Sequence, residues 1–339
     1  MNRSIIYALI LVIICPALLH CQTVRTTQPV KFNGEAQGTY YVVTYFDKQD
    51  RNFQVEIDSL FKRFDSSVSV YMPASIISRI NNNDNTVSTD RVFNMVFNKS
   101  MEISANTGGA FDITVGPLVN AWGFGFTSRI KVDQHGIDSL LPLVNYKAVH
   151  LIGNKVYKDN PGIKLDFNAI AQGFSTDEIG EFLLSKGIEN FLIDVGGEIL
   201  GRGKKTNGSF WNVGVEKPSA DADDSRTLKA VVKLQNMALS TSGNYRKYFE
   251  ENGVRYSHTI NPKTGFPVKH SLLSVSVLAS DCMTADAYAT AFMVMGVEKG
   301  KEYLKKHPKI DVYFIYAAPD GSMKTFYTKG FEKLIRKDN

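Results

Sequence analysis

Two hydrophobic rhythms alternate along the chain, and their switches mark the elements. "GTYYVVTYF" (38–46) is dense in β-branched and aromatic residues and predicts a strand. "NFQVEIDSLFKRF" (52–64) spaces Phe53, Ile57, Leu60, Phe61 and Phe64 as on a helix with one buried face. "ASIISRIN" predicts a short helix and "NNNDN" the loop after it. Asp90 is placed to cap "RVFNMVFNKSMEISAN", which should stop at Gly108-Gly109. "AVHLIGNKVYKD" predicts a hairpin about Gly153-Asn154. "STDEIGEFLLSKG" predicts an amphipathic helix capped by Ser175 or Thr176 and ended by Gly187. "NFLIDVGGEILG" reads as a strand with a glycine break, and further strands are expected at 211–216, 228–234, 255–260 and 272–279. "TADAYATAFMVMG" (284–296) predicts a core helix stopping at Gly296, and "DVYFIYAAPDGSMKTFYT" a hairpin turning at Pro319-Asp320-Gly321. Strands and helices interleave without a regular βαβ rhythm, which predicts an α+β fold, a single intertwined mixed α/β unit.

The first residues follow a different pattern. "MNRSIIYALILVIICPALLHC" has Arg3, an apolar run from Ile5 to Ile14, then small and apolar residues, the layout of a secretory signal. The run is short of the roughly 20 residues of a membrane span. "LLHC" resembles a bacterial lipobox with Cys21 as the lipidated first residue, although His20 replaces the usual small residue; a plain signal peptide cut nearby is the alternative. The expected layout is a cleaved signal over 1–20, a tether over 21–33 and one folded domain over 34–337. The expected location is the periplasmic side of the inner membrane, anchored by lipid. Only Cys282 then remains in the mature body, so no internal disulfide can form. No His or Cys stands near it at metal spacing, which predicts a buried, inert thiol. Net charge is +5, but the lysines and arginines form no dense block, so no nucleic-acid partner is expected.

Five stretches put polar groups where the pattern alone predicts core. In "TGGAFDITVGPLVNAWGFG" (107–125), Gly108-Gly109 permits close backbone approach, and Asp112 is either a turn cap or a ligand contact. In "IKLDFNAIAQGF" (163–174), Asp166 leads into a small-residue turn before a helix, where free backbone groups can hold an anion or a metal. "DVGGEI" (194–199) pairs glycines with Asp194 and Glu198, either structural or in contact with a ligand. "ALSTSGNYRKYF" (238–249) reads as a loop dense in hydroxyls; "YSHTINPKTGFPV" (256–268) sets His258 on a strand before a turn, as a structural residue or a catalyst. In the 284–296 helix, Asp286 and Thr290 share one face at i and i+4. Asp286 could serve the helix N-terminus. Alternatively, oxygen donors without His or Cys suit magnesium, completed by water or phosphate oxygens.

Taken in order, "GTYYVV", "SVSVYMPASIISRIN", "TGGAFDITVGPLVNAWGFG", "LDFNAIAQGFSTD", "DVGGEI", "STSGNYRKYF", "SHTINPKTGFPV" and "ADAYATAFMVMG" resemble the blocks of the ApbE family of FAD:protein FMN transferases over roughly residues 34–330. The resemblance implies an ApbE-like fold and a magnesium-dependent transfer of the FMN half of FAD to a Thr hydroxyl of a target flavoprotein. A phosphoester forms and AMP leaves. Acceptors of the Nqr and Rnf electron-transport type are implied, with the Thr in a Ser/Thr-Gly-Ala-Thr-like motif. By position, Asp286, Thr290 and the Ala169 carbonyl correspond to magnesium ligands. Gln37, Tyr71, Ala110, Phe111, Asp112, Asp166, Gln172 and Ile260 correspond to FAD contacts, and His258 to the family's histidine near the reacting phosphate. Three positions depart from the pattern: Gln172 stands where Lys or Glu is common, Gln37 where Met is usual, and Ala289 where some relatives carry a second carboxylate. Two rival readings remain, an FAD diphosphatase and a non-enzymatic flavin-binding lipoprotein.

Overall fold

A computed structural model describes residues 28–125, 133–218, 227–244, 248–251 and 254–336. The expected signal over 1–20, Cys21 and most of the tether lie outside these residues, as does the acidic stretch 219–225. The strands are β1 Val30–Ala36, β2 Thr39–Tyr45, β3 Val149–Ile152, β4 Lys155–Lys158, β5 Phe191–Val195, β6 Glu198–Arg202, β7 Trp211–Glu216, β8 Leu228–Leu234, β9 Met237–Gly243, β10 Tyr248–Glu251, β11 Val254–Ser257, β12 Leu272–Ala279, β13 Asp311–Ala317 and β14 Met323–Tyr327. The helices are α1 Gln54–Val68, α2 Ile76–Asn81, α3 Arg91–Asn106, α4 Gly116–Ala121, α5 Gln134–Leu140, α6 Ala171–Ser185, α7 Cys282–Lys306 and α8 Lys329–Leu334.

The fold is mixed α/β, built on an eight-stranded sheet in the order β1-β2-β5-β6-β9-β12-β13-β14. Every neighbouring pair in it is antiparallel. Strand alternation sends side chains to two cores. From β13, Val312 and Phe314 enter the large core beneath the helices, while Tyr313 and Ile315 enter a second core. That second core is closed by the β7–β8 ribbon, through Trp211, Val213 and Val232, and by Phe331 of α8. The sheet is therefore covered on both faces. A third cluster, of Leu118, Trp122, Ile137 and Ile260, fastens α4 to the turn after β11; there Trp122 Nε1 donates to the Gly265 carbonyl at 2.8 Å.

Several expectations change with tertiary context. The sheet takes residues from Val30, so the last part of the expected tether over 21–33 is strand. "DVGGEI" is not one broken strand but the β5–β6 hairpin: Val195 pairs with Glu198, and Gly196 and Gly197 turn at φ 65 and 109. The hydroxyl-rich stretch from 238 is not a loop; β9 runs to Gly243, and Thr241 meets Ser276 of β12 at 2.8 Å. The strand expected over 255–260 ends at Ser257, so His258 lies just beyond it. Ser175 and Thr176 do not cap α6. They sit inside it, their hydroxyls satisfied by the Ala171 and Gln172 carbonyls one turn back at 2.9 Å each.

The 284–296 helix differs at both ends. α7 starts at Cys282 and continues to Lys306 through a break at Gly296, whose φ is 74. There is no room for a side chain there, because an added Cβ would lie 2.9 Å from His270 Cδ2. His270 holds the break. Its Nε2 lies 2.7 Å from the Met293 carbonyl, and its Nδ1 accepts the Leu272 N–H at 3.3 Å. Nδ1 is thus the acceptor, so Nε2 carries the proton.

α6 and α7 meet at Gly173, where an added Cβ would stand 2.6 Å from the Cys282 carbonyl oxygen. The Cys282 carbonyl carbon and Met283 Cα follow at 2.8 Å each, and all three atoms are backbone, so Gly173→Ala should force the helices apart. We expect the unfolding free energy to fall by about 1–3 kcal/mol, the usual cost of overpacking, as measured by urea denaturation. An unchanged midpoint would show that the crossing is looser than drawn.

Candidate active site

Because Gly173 lets α7 approach the start of α6 so closely, the two helices exchange carboxylates. Asp286 Oδ2, from α7, accepts the Gly173 N–H at 3.1 Å. Asp177, from α6, accepts the Cys282 and Met283 N–H groups at 2.7 and 2.9 Å. Each carboxylate thus satisfies free donors at the other helix's N-terminus, the end that favours negative charge. Asp281 completes α7's own cap by accepting the Thr284 N–H at 2.8 Å. Asp286 lies in the second turn and is not needed there, which removes the capping alternative for it.

The exchange also frees a carbonyl. With the Gly173 N–H turned to Asp286, no N–H among the described residues donates to the Ala169 carbonyl. The first backbone bond counted onward from it is Phe174 N–H to Ile170, at 3.0 Å. Thr290 follows Asp286 by one turn on the same face, half-buried. Asp286 itself is 6% exposed and has no Lys, Arg or His paired with it among the described residues. Burial pushes its carboxyl up to about 7, against the lowering pull of the Gly173 N–H. Asp177 is raised to about 7 as well, by burial and then by the nearby Asp281 and Glu178 charges. A carboxylate desolvated without a cation is costly unless something positive joins it. Asp286, the Thr290 hydroxyl and the Ala169 carbonyl are a hard, all-oxygen donor set on facing segments, which fits magnesium.

The turn before α6 carries a second group. Asp166 accepts the Asn168 N–H at 2.8 Å, and the Asn168 amide reaches the Tyr71 hydroxyl at 3.5 Å. Tyr71 presents an exposed ring beside it. Burial raises the Asp166 carboxyl, and Tyr71 is raised by burial and by the Asp166 charge. A third group surrounds the β1–β2 turn, where Gln37 holds φ 53. Gln172 Nε2 donates to the Gln37 carbonyl at 3.3 Å, and Gln37 Nε2 donates to Ser175 Oγ at 2.8 Å and to Asp65 at 3.4 Å. The three groups all touch residues 166–176.

The 107–125 block is tied to the segment just before that turn. Asp166 N–H donates to the Ile113 carbonyl at 2.7 Å, and Val115 bridges Lys164. Asp112 is held by its own loop and by Tyr146. One oxygen accepts the Thr114 N–H and hydroxyl at 2.8 and 2.6 Å, and the other accepts the Tyr146 N–H at 3.1 Å. Its geometry is that of a buried loop anchor, with the carboxyl raised by burial. Ala110 and Phe111 are buried beside it, and Ile260 belongs to the third core. His258 is half-buried and meets Phe124 edge-on at 6.3 Å, so it adjoins the end of this block and not the Asp286 carboxylate directly. Sequence reasoning missed Asp177, Asn168, Asp65 and Ser175. Asp177 reads as the polar start of an amphipathic helix, and only its neighbourhood to "NAIAQG" hinted at more.

The ApbE family model matches residues 37–314. An FAD:protein FMN transferase of Vibrio cholerae is 34% identical over 96% of this chain and 99% of its own length. A second, of Haemophilus influenzae, is 33% identical over 98% of each chain. Among solved structures, the flavin transferase ApbE from Vibrio cholerae superposes with a TM-score of 0.82 at 33% identity, covering 91% of this chain and 99% of that one. The ApbE protein of Thermotoga maritima gives 0.81 at 26% identity, covering 91% and 100%.

The raised Asp286 carboxyl has a thermodynamic signature. Its folded value, about 7, exceeds the ordinary 3.8. The metal-free fold therefore binds the extra proton, and stability is lost as pH rises from about 4 to about 7. Asp286→Asn keeps an acceptor for the Gly173 N–H and removes the charge. Without divalent cations, this variant should match the wild type near pH 4 and exceed its urea midpoint at pH 8. Equal midpoints at pH 8 would show that Asp286 is better solvated than its burial indicates.

Proposed function

Given that the chain belongs to the ApbE family and is an FAD:protein FMN transferase, we propose that it transfers FMN from FAD to a Thr hydroxyl of an acceptor flavoprotein. The hydroxyl oxygen bonds to the FMN phosphorus, the pyrophosphate P–O bond breaks, and AMP carries away the electron pair. The observation that carries this reading is Asp286: a buried, unpaired carboxylate with a hydroxyl one turn on and a donor-free carbonyl on the facing segment. Asp286, Thr290 and the Ala169 carbonyl hold magnesium, which when bound neutralises charge on the pyrophosphate oxygens.

The remaining residues bind and orient. Tyr71 offers an exposed aromatic face, and Asp166 and Asn168 set its hydroxyl. Gln37 and Gln172 offer neutral amides in place of more apolar or charged side chains, Gln172 bonded to the Gln37 backbone carbonyl and the Gln37 amide to Ser175. Asp112 holds the Ala110–Phe111 loop against Tyr146. His258 takes the proton of the attacking hydroxyl, a task suited to an imidazole near neutral pH. The N-terminal pattern supports anchoring through lipid on Cys21 at the periplasmic side of the inner membrane, beside acceptors of the Nqr or Rnf type.

The deciding assay incubates the chain with FAD, magnesium and a subunit of a sodium-pumping NADH:quinone oxidoreductase that carries the acceptor Thr. Acid-stable flavin fluorescence on that subunit is expected. Free FMN and AMP without a labelled subunit would mean an FAD diphosphatase, and intact FAD a binding protein. Asp286→Ala should abolish labelling while the far-ultraviolet circular dichroism stays native; magnesium-dependent turnover in that variant sinks the metal assignment. His258→Ala should slow labelling by about 10²–10⁴-fold, the usual worth of a general base, with FAD affinity unchanged. Weakened FAD binding would make His258 a binding residue instead.

A further inference from the structure

The neighbouring strands β1, β2, β5 and β6 carry opposite charge at their two ends. At the end of the candidate site, the β1–β2 and β5–β6 turns (34–39 and 194–199) hold Glu35, Asp194 and Glu198 and no lysine or arginine. At the other end, the segments 46–52, 186–190 and 202–205 hold Lys48, Arg51, Lys186, Arg202, Lys204 and Lys205 against Asp47, Asp50 and Glu189. We propose that this basic end lies against an anionic lipid surface and holds the candidate site away from the membrane.

Hydrogen bonds gather the three segments into one face. The Phe46 N–H donates to the Asn190 carbonyl at 3.1 Å, and the Lys204 N–H to Asn190 Oδ1 at 2.7 Å. The Arg51 guanidinium donates to the Lys186 carbonyl at 3.0 Å. Asp47 neutralises Arg51 at 2.7 Å. Lys48, Lys186, Arg202 and Lys204 are exposed and, like Lys205, make no ion pair among the described residues. Five cations thus remain against two carboxylates, Asp50 and Glu189. Lys204 and Lys205 lie over the rings of Phe210 and Trp211 at 5.0 and 5.7 Å, a pairing of cation and aromatic ring that suits the boundary of a bilayer.

The path of the chain points the same way, independently of charge. Val30 pairs with Tyr45 at the basic end, whereas Ala36 pairs with Thr39 at the site end. The described residues begin at Gln28, and the segment from Cys21 to it reaches at most about 25 Å. A lipid on Cys21 therefore tethers the basic end. The length of β1 puts roughly 20 Å between that end and the Gln37 turn. An anionic surface attracts the lysines and arginines within a Debye length and repels the carboxylates of the far end. Tether and charge impose one orientation, with the Gln37 turn facing away from the bilayer. The proposal takes the anchor from the lipoprotein reading of the N-terminus; the charged face stands without it.

The chain from Gln22 onward keeps every described residue and lacks the anchor, so it tests the face alone. At low salt it should sediment with vesicles of phosphatidylglycerol and phosphatidylcholine in equal parts, but not with phosphatidylcholine alone. The triple variant K48E/K186E/K204E should bind the mixed vesicles about a hundredfold more weakly, and high salt should remove the difference. Its urea midpoint should stay that of the wild type, and its Kd for FAD within about twofold, because these exposed side chains lie outside the proposed metal and FAD contacts. On mixed vesicles, amide hydrogen exchange should slow over 46–52, 186–190 and 202–205 and stay unchanged over 34–39 and 194–199, in this chain and in the full lipid-anchored one. Equal binding to neutral vesicles, an indifferent triple variant, or slowed exchange at the 34–39 turn overturns the proposal. A full chain that carries no lipid, beside a Gln22 chain that binds as described, refutes the anchor and leaves the face supported.

Discussion

Where α6 and α7 cross at Gly173, each helix hands a carboxylate to the other's free N–H groups, and the site's other features follow from that exchange. Hydrogen bonds to a charged group contribute about 1.5–3 kcal/mol each, enough to offset part of the desolvation of two acids. The offset is incomplete for Asp286, which among the described residues has a single backbone donor and no Lys, Arg or His paired with it. Asp177 has two donors, yet its carboxyl is also raised, because Asp281 and Glu178 add repulsion to burial. Asp177 is tied at both oxygens to α7 and serves the crossing. Asp286 keeps one oxygen unengaged and remains short of positive charge.

That difference separates structure from chemistry among the acids of the site. Asp112 accepts two donors from its own loop and a third from Tyr146, and Asp177 accepts two from a neighbouring helix. Asp286 accepts one, and the same hydrogen bond that orients it takes up the Gly173 N–H, four residues on from the Ala169 carbonyl. One interaction thus prepares two oxygen donors at once. Thr290 needs only the helix period to join them.

Local features were legible in the chain, and exchanges between distant segments were not. Asp90 caps α3 by accepting the Phe93 N–H, and the β13–β14 hairpin turns where its Pro-Asp-Gly says it should. Both signals span a few residues. The Asp177 contact with Cys282 spans 105 residues, and nothing near Asp177 announces it. Ser175 and Thr176 look like caps because hydroxyls favour helix ends, but a hydroxyl bonded one turn back is equally content inside. The small residues of "NAIAQG" let the helix begin four residues before Ser175. Likewise, the hydroxyls after Ala238 imitate a loop until Ser276 across the sheet supplies a partner. The proposed metal donors were legible from side chains only as a pair on one face; their third member is a backbone carbonyl, which no side-chain pattern can reveal.

The break in α7 explains how one helix serves two ends of the site. A straight helix would carry the Asp286–Thr290–Val294 row onward in one line. Gly296 adopts a φ open only to glycine, and the turn that follows takes a new direction. Breaking the ladder leaves the Met293 carbonyl in need of a donor, and His270 supplies it from the strand side. Burial lowers the His270 value, which keeps the imidazole neutral, and only the neutral ring can also accept the Leu272 N–H. The break is therefore held from the sheet and cannot straighten without orphaning both groups. The first half of α7, pinned to α6, fixes Asp286 and Thr290 of the proposed metal site. The second half, re-aimed by the break, sets Lys299 and Lys306 on the rim of a cleft that Ala110 also lines.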